Sequence, residues 1–144
     1  MKLSSYEGLQ KNVRKLKTPA IEVWENQYSD REYVVDLTTN EFTCICPKTG
    51  LPDFATINIQ YKPSKVCIEL KSFKMYLIAY REVGIFHEHL ANKILGDLVK
   101  ACKPRWMRVE VVMNPRGGIA TTVNVEYQGK NNMQGRCPHP SVHF

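Results

Sequence analysis

Three runs of strict two-residue alternation constrain this chain more than any other feature. In "FATINIQYKP", Ala55, Ile57, Ile59 and Tyr61 face one way and Thr56, Asn58, Gln60 and Lys62 the other. "RWMRVEVVM" sets Met107, Val109, Val111 and Met113 on one face. "IATTVNVEY" does the same with Ile119, Thr121, Val123, Val125 and Tyr127. Such alternation marks strands with one buried and one solvated face, the habit of antiparallel sheets. "NPRGG" joins the last two runs with turn chemistry. "REYVVDLTTNEFTCIC" reads as a strand, a turn at Thr38–Asn40 and a second strand, and "KVCIEL" as a short extended run.

Two stretches carry a helical period instead. "KSFKMYLIAYR" lines up Phe73, Leu77 and Tyr80, and Gly84 interrupts it. "FHEHLANKILGDLVKACK" lines up Phe86, Leu90, Ile94, Leu95, Leu98 and Cys102 at three- and four-residue steps, with Pro104 just past its end. Strands, then two helices, then a strand pair predict an α+β fold with an antiparallel sheet and helices on one face. A sheet of four strands leaves open edges, and continuing it across subunits in a ring would close them. Residues 1–30 read as an N-terminal arm with little regular structure, anchored by Trp24 and Tyr28 and packed on a neighbour. Residues 31–130 form the folded domain, and residues 131–144 an irregular tail.

A formal charge of +6 suggests an anionic partner, with nucleic acid and a phosphorylated cofactor as candidates beside a merely basic surface. No run approaches the roughly 18 apolar residues of a membrane span. The basic start "MKLSSYEGLQKNVRKLKTP" lacks the apolar stretch and cleavage site of a signal peptide, so a cytoplasmic location is expected. The five cysteines, Cys44, Cys46, Cys67, Cys102 and Cys137, then read as free thiols.

The chemistry concentrates in "CICPKTGLPDFATI". Pro47 cannot continue a hydrogen-bonded ladder, so Cys46 falls at a strand end facing a loop. "PKTGLP" is bounded by prolines and returns the chain so that Asp53 can approach Cys46. A thiol there can act as a nucleophile and the carboxyl as a proton shuttle, or the pair is a buried cysteine in a hairpin with an acid capping the turn. In "FHEH", Glu88 in a first helical turn suits the helix dipole, and a carboxylate there can also accept paired N–H groups from a heterocycle. Zinc is disfavoured: His87 and His89 point about 200° apart on a helix and no C-x-x-C is present. In "ELKSFKMY", Lys71 and Lys74 share a helix face, and with Arg116 of "NPRGG" they could bind phosphates or simply face solvent. No G-x-G-x-x-G follows a strand, so a dinucleotide would bind outside the Rossmann manner.

Together "CPKTGLPDFATI", "ELKSFKMY", "FHEHL" and "PRGG", in this order, resemble the NADPH-dependent 7-cyano-7-deazaguanine reductases, the QueF nitrile reductases, over residues 33–127. The chain looks like the short, single-module form. The resemblance implies a tunnelling fold, with two helices inserted between strands 2 and 3 of a four-stranded sheet that continues through a homo-oligomeric ring with sites at subunit boundaries. It implies Cys46 as the nucleophile that forms a thioimide and Asp53 as the proton donor. It implies Ile68, Glu69, Leu70, His87 and Glu88 as contacts to 7-cyano-7-deazaguanine, and Lys71, Lys74 and Arg116 as contacts to NADPH. Two hydrides per turnover yield 7-aminomethyl-7-deazaguanine for queuosine in tRNA, with no metal, no membrane and no direct contact with nucleic acid. Some archaeal relatives keep the cysteine and aspartate but act as amidinotransferases; the full "ELKSFK" run here favours reduction. A basic module that binds tRNA or a purine without chemistry is the alternative from a different class.

Overall fold

The computed structural model describes residue 1 and residues 12–130; the expected tail at 131–144 lies outside the described residues. Six strands and two helices follow in the order β1 (Val23–Glu25), β2 (Val35–Ile45), β3 (Pro52–Lys62), β4 (Val66–Ile68), α1 (Leu70–Ile78), α2 (His87–Cys102), β5 (Trp106–Arg116) and β6 (Ile119–Gln128). The main sheet has the order β2-β3-β5-β6 with every pair antiparallel. The alternating runs do what their period dictates. Ala55, Ile57, Ile59 and Tyr61 of β3 and Met107, Val109, Val111 and Met113 of β5 are buried. Leu90, Ala91, Ile94, Leu98 and Cys102 of α2 complete that core, and α2 packs on β5 and β6. The opposite sheet face is polar, laced by Gln60–Asp36, Asn58–Glu110 and Arg108–Asn124 hydrogen bonds.

The turn expected at Thr38–Asn40 is not there. β2 runs unbroken from Val35 to Ile45 and pairs with β3 throughout. Thr39 faces Ile57 and Phe42 faces Ala55, so three steps on β2 match two on β3. One extra residue is accommodated as a bulge, because both halves of the segment find partners on the same neighbouring strand. The "NPRGG" turn is also shorter than expected. β5 extends to Arg116, and only Gly117 and Gly118, at φ 57° and 75°, form the turn, a pair of left-handed conformations that suits a tight hairpin. A second one-residue bulge separates Met113↔Thr121 from Arg116↔Ile119.

The described part of the arm packs on its own chain. β1 pairs with β4, Trp24 Nε1 donates to Ile68 O at 3.3 Å, and buried Asn26 donates to Ser64 O at 2.8 Å while accepting from Tyr33 Oη at 2.7 Å. The two helices are tied by a buried polar chain: Tyr80 Oη and Tyr76 Oη lie 2.9 Å apart, Tyr76 Oη donates to Asp97 Oδ2 at 2.7 Å, and Lys93 Nζ donates to the same oxygen at 2.6 Å. Burial pushes both tyrosines above the usual phenol range, so they stay neutral donors. α2 ends at Lys103, whose left-handed φ of 43° closes an N–H bond to Val99 O at 2.9 Å.

Candidate active site

The loop after β2 is closed by its own backbone. Cys46 N donates to Leu51 O at 2.8 Å and Gly50 N donates to Cys46 O at 2.9 Å. Gly50 takes φ 68°, which the tight return requires. This fold-back turns the donors of Lys48 and Thr49 toward the half-buried Cys46 thiol. Burial acts to raise that thiol's pKa, yet the hydroxyl and N–H of Thr49 and the N–H of Lys48 outweigh it. The net effect holds the thiol below its ordinary value, against the opposing charge of nearby Asp53. Cys44, two residues earlier, is pushed up to about 12 by burial and then by the charges of Asp53 and Cys46, so it stays protonated.

Asp53 is 3% exposed and stands directly across from Cys44 in the β2–β3 ladder. Each of its carboxylate oxygens has one partner: Arg116 Nη1 donates to Oδ1 at 2.7 Å, and His87 Nε2 lies 3.1 Å from Oδ2. His87 reaches this point because the segment before α2 lies along the end of β2. Ile45 N donates to Val83 O at 2.9 Å and Ile85 N donates to Ile45 O at 3.1 Å. Glu88 follows in the first turn of α2 with its side chain exposed.

The bulges explain why these groups meet. Ahead of the first bulge, odd-numbered β2 residues such as Leu37 face the core; after it, the even-numbered Phe42 and Cys44 do. The bulge thus keeps the core-facing set of β2 on the side of Ala55 and Asp53 although the sequence changes phase. Arg116 pairs one step beyond the second bulge, which places it, rather than Pro115, on the side of Met113.

The remaining expected site residues gather at the start of α1. Ile68 is buried, and its N–H donates to Tyr61 Oη at 3.1 Å. Glu69 caps α1, its carboxylate accepting from Ser72 N at 2.6 Å and Lys71 N at 2.8 Å, and those two N–H groups hold it below the usual carboxylate range. Leu70, Lys71 and Lys74 are exposed. Leu70, Lys74 and Arg81 edge a groove of about 690 Å³ floored by Phe42, Phe73 and Leu77; Cys46, Asp53, His87 and Arg116 are not among its lining residues. The chain therefore presents two candidate half-sites: a thiol–carboxylate cluster and an apolar-floored groove whose lining carries Lys74 and Arg81 together with Asp36 and Glu41. Thr49 and the Lys48 N–H were missed by sequence reasoning; the Thr–Gly pair inside a proline-bounded loop was the available signal. Among the described residues no group of three or more His, Cys, Asp or Glu could hold a metal ion.

A thiol of lowered pKa beside a buried, doubly held carboxylate, on an antiparallel sheet backed by two helices, defines an α+β protein equipped for nucleophilic chemistry. The comparisons narrow that class. The family model described as "QueF-like protein" matches residues 52–132. The NADPH-dependent 7-cyano-7-deazaguanine reductase of Chloroherpeton thalassium is 50% identical over 115 residues, which cover 80% of this chain and 99% of that protein. The enzyme of the same name from Chlorobaculum tepidum is 55% identical over 107 residues, covering 74% of this chain and 92% of that protein. Among solved structures, the apo archaeosine synthase QueF-Like superimposes with a TM-score of 0.62 at 27% identity, over 67% of this chain and 94% of that one. This chain belongs to the QueF-like family.

Proposed function

We propose that this protein is an NADPH-dependent nitrile oxidoreductase that converts 7-cyano-7-deazaguanine to 7-aminomethyl-7-deazaguanine, a step toward queuosine in tRNA. Relatives about half identical over most of this chain carry the name of that reaction. The observation that carries the mechanism is the Cys46–Asp53 arrangement: an acidified thiol within reach of the charge of a buried carboxylate.

A nitrile carbon is a poor acceptor until it is made imine-like. Cys46 Sγ adds to that carbon; the C–S bond forms as one π bond of the C≡N group breaks, and the nitrogen takes a proton. Asp53 delivers it, with His87 on Oδ2 as the group from which the carboxylate recovers a proton. The Cys46 sulfur leaves again when the carbon has been reduced once, and the nitrogen is protonated from the same side as the amine forms. NADPH supplies the two hydrides that the carbon takes up. Lys71 and Lys74 suit its phosphates: both are exposed cations, and Lys74 edges a groove whose apolar floor can take a flat ring. Glu88 accepts the amino and ring N–H groups of the deazaguanine, and the Ile68–Leu70 segment borders the ring through its backbone, since the Glu69 carboxylate is occupied by its cap.

The two half-sites join across a subunit boundary in this reading. Among the described residues, the main sheet ends in β2 and β6, neither of which has an outer partner in the sheet order. Continuing it through neighbouring copies makes a ring, and a boundary then sets one subunit's thiol cluster against another's groove. Among the described residues no helix is long and apolar enough to cross a membrane.

The test is intact mass of the protein mixed with 7-cyano-7-deazaguanine without NADPH, with Cys46→Ala beside it, followed by addition of NADPH and its absorbance. The expected result is an adduct on the unsubstituted protein only, then NADPH oxidation. An adduct that never consumes NADPH favours chemistry closer to that named for the archaeosine synthase neighbour. Binding by both proteins without an adduct leaves a purine- or RNA-binding module.

A further inference from the structure

We infer that Arg116 is a positioning residue for the proton donor rather than a contact to the cofactor's phosphates. The inference rests on the reductase reading. The guanidinium is already engaged: Nη1 donates to Asp53 Oδ1 at 2.7 Å and to the carbonyl oxygen of Pro52, the residue before it. One cation thus holds both the side chain of Asp53 and the backbone that presents it. A carboxylate 3% exposed needs such a partner, since an unpaired buried charge is costly. Arg116 is placed for the task by covalent structure. The bulge after Met113 puts it on the Asp53 side of β5, and the Gly117–Gly118 turn closes immediately behind it.

The consequence is a division of labour between the two oxygens of one carboxylate. Arg116 is permanently charged and has no acceptor, so Oδ1 is occupied by a donor that never gives up its proton. Proton traffic is then confined to Oδ2, the oxygen that faces His87 at 3.1 Å. Arg116 orients the group so that the exchanging oxygen always points the same way. Lys71 and Lys74, both exposed, remain for phosphate.

The experiment compares the full chain with Arg116→Gln and Arg116→Lys. Three quantities are read for each: kcat at saturating NADPH, the Kd of NADPH by fluorescence titration without nitrile substrate, and the rate of adduct formation at Cys46 without NADPH. Misplacement of a reacting group by an ångström costs about 100-fold, so Arg116→Gln should lower kcat by roughly 10- to 100-fold, slow the adduct, and leave the NADPH Kd within about twofold. Arg116→Lys keeps the charge and should recover kcat to within about fivefold of the unsubstituted protein, by a cation that can still reach one oxygen. Should the Gln variant fail to fold, the Lys variant decides alone on the same two figures. A rise of about tenfold or more in NADPH Kd with kcat retained at saturation would return Arg116 to the cofactor and overturn the inference. Equal losses in Gln and Lys, or no loss in either, overturn it as well. Failure of the unsubstituted protein to turn over is a separate result, which removes the reductase reading itself.

Discussion

At Cys46 acidity is built from neutral donors. Among the described residues, the Thr49 hydroxyl and two backbone N–H groups lower this thiol's pKa, and the charge of Asp53 works the other way. Iodoacetamide at neutral pH should therefore label Cys46 ahead of Cys44 and Cys102, both held at about 12 by burial, with peptide mapping as the readout. Thr49→Val should raise the labelling midpoint and slow adduct formation roughly tenfold at neutral pH, since a hydrogen bond to a charged group is worth about 1.5–3 kcal/mol. The sign for stability follows. A thiol lowered in the folded state contributes stability in full above its ordinary value of 9.0, and loses it as pH falls through the lower folded value. The prolines and glycine around Cys46 and Asp53 made this pair legible in the sequence, because they dictate where a strand must stop. Thr49 and Asn26 were not legible: a hydroxyl or amide gains its role from backbone that comes back to it, and that return is decided by the fold. His87 at Asp53 was hidden for the same reason, with 34 residues between them.

The elements followed their periods where one face is buried. β3, β5 and α2 were readable because alternation and the three- and four-residue stripe are enforced by burial, and β6 because Val123 and Val125 alternate half-buried against the core. β2 was misread at Thr38–Asn40 because a polar run inside a strand looks like a turn locally, and only its neighbour β3 can show that pairing continues past it. β1 and β4 were hard to foresee as a pair, since three residues a side carry too little pattern. The bulge makes a sharp prediction. Deleting Glu41 removes the surplus residue and leaves Thr39 and Phe42 two steps apart, matching Ile57 and Ala55, so Phe42 and Cys44, now 3% and 0% exposed, keep their places in the core. The variant should therefore unfold in urea within about 1 kcal/mol of the unsubstituted protein and still form the Cys46 adduct. Loss of the adduct in that variant would show that the bulge itself aims the end of β2.

For the molecule as a whole, the proposed function requires the thiol cluster and the groove, which share no lining residue, to meet. If they are completed by neighbouring copies, two inactive variants should rescue each other. Cys46→Ala and Lys74→Ala, each inactive or nearly so alone, should regain about one quarter of full activity after co-refolding at equal amounts, because one boundary in four joins two intact halves. Activity no higher than the sum of the separate variants would place both half-sites within one subunit. The sequence suggests a four-stranded sheet with open edges but carries no pattern that says what covers them. The bulges have a meaning for lineage and engineering too. In each of β2 and β5 a single inserted amino acid decides which later residues share the core-facing side. Alignments that place a gap there will assign side chains to the wrong wall. A designer who grafts the CPKTGLPD loop onto another sheet must match the phase of the strand that receives it, or the whole hairpin, thiol and acid together, turns to the wrong face.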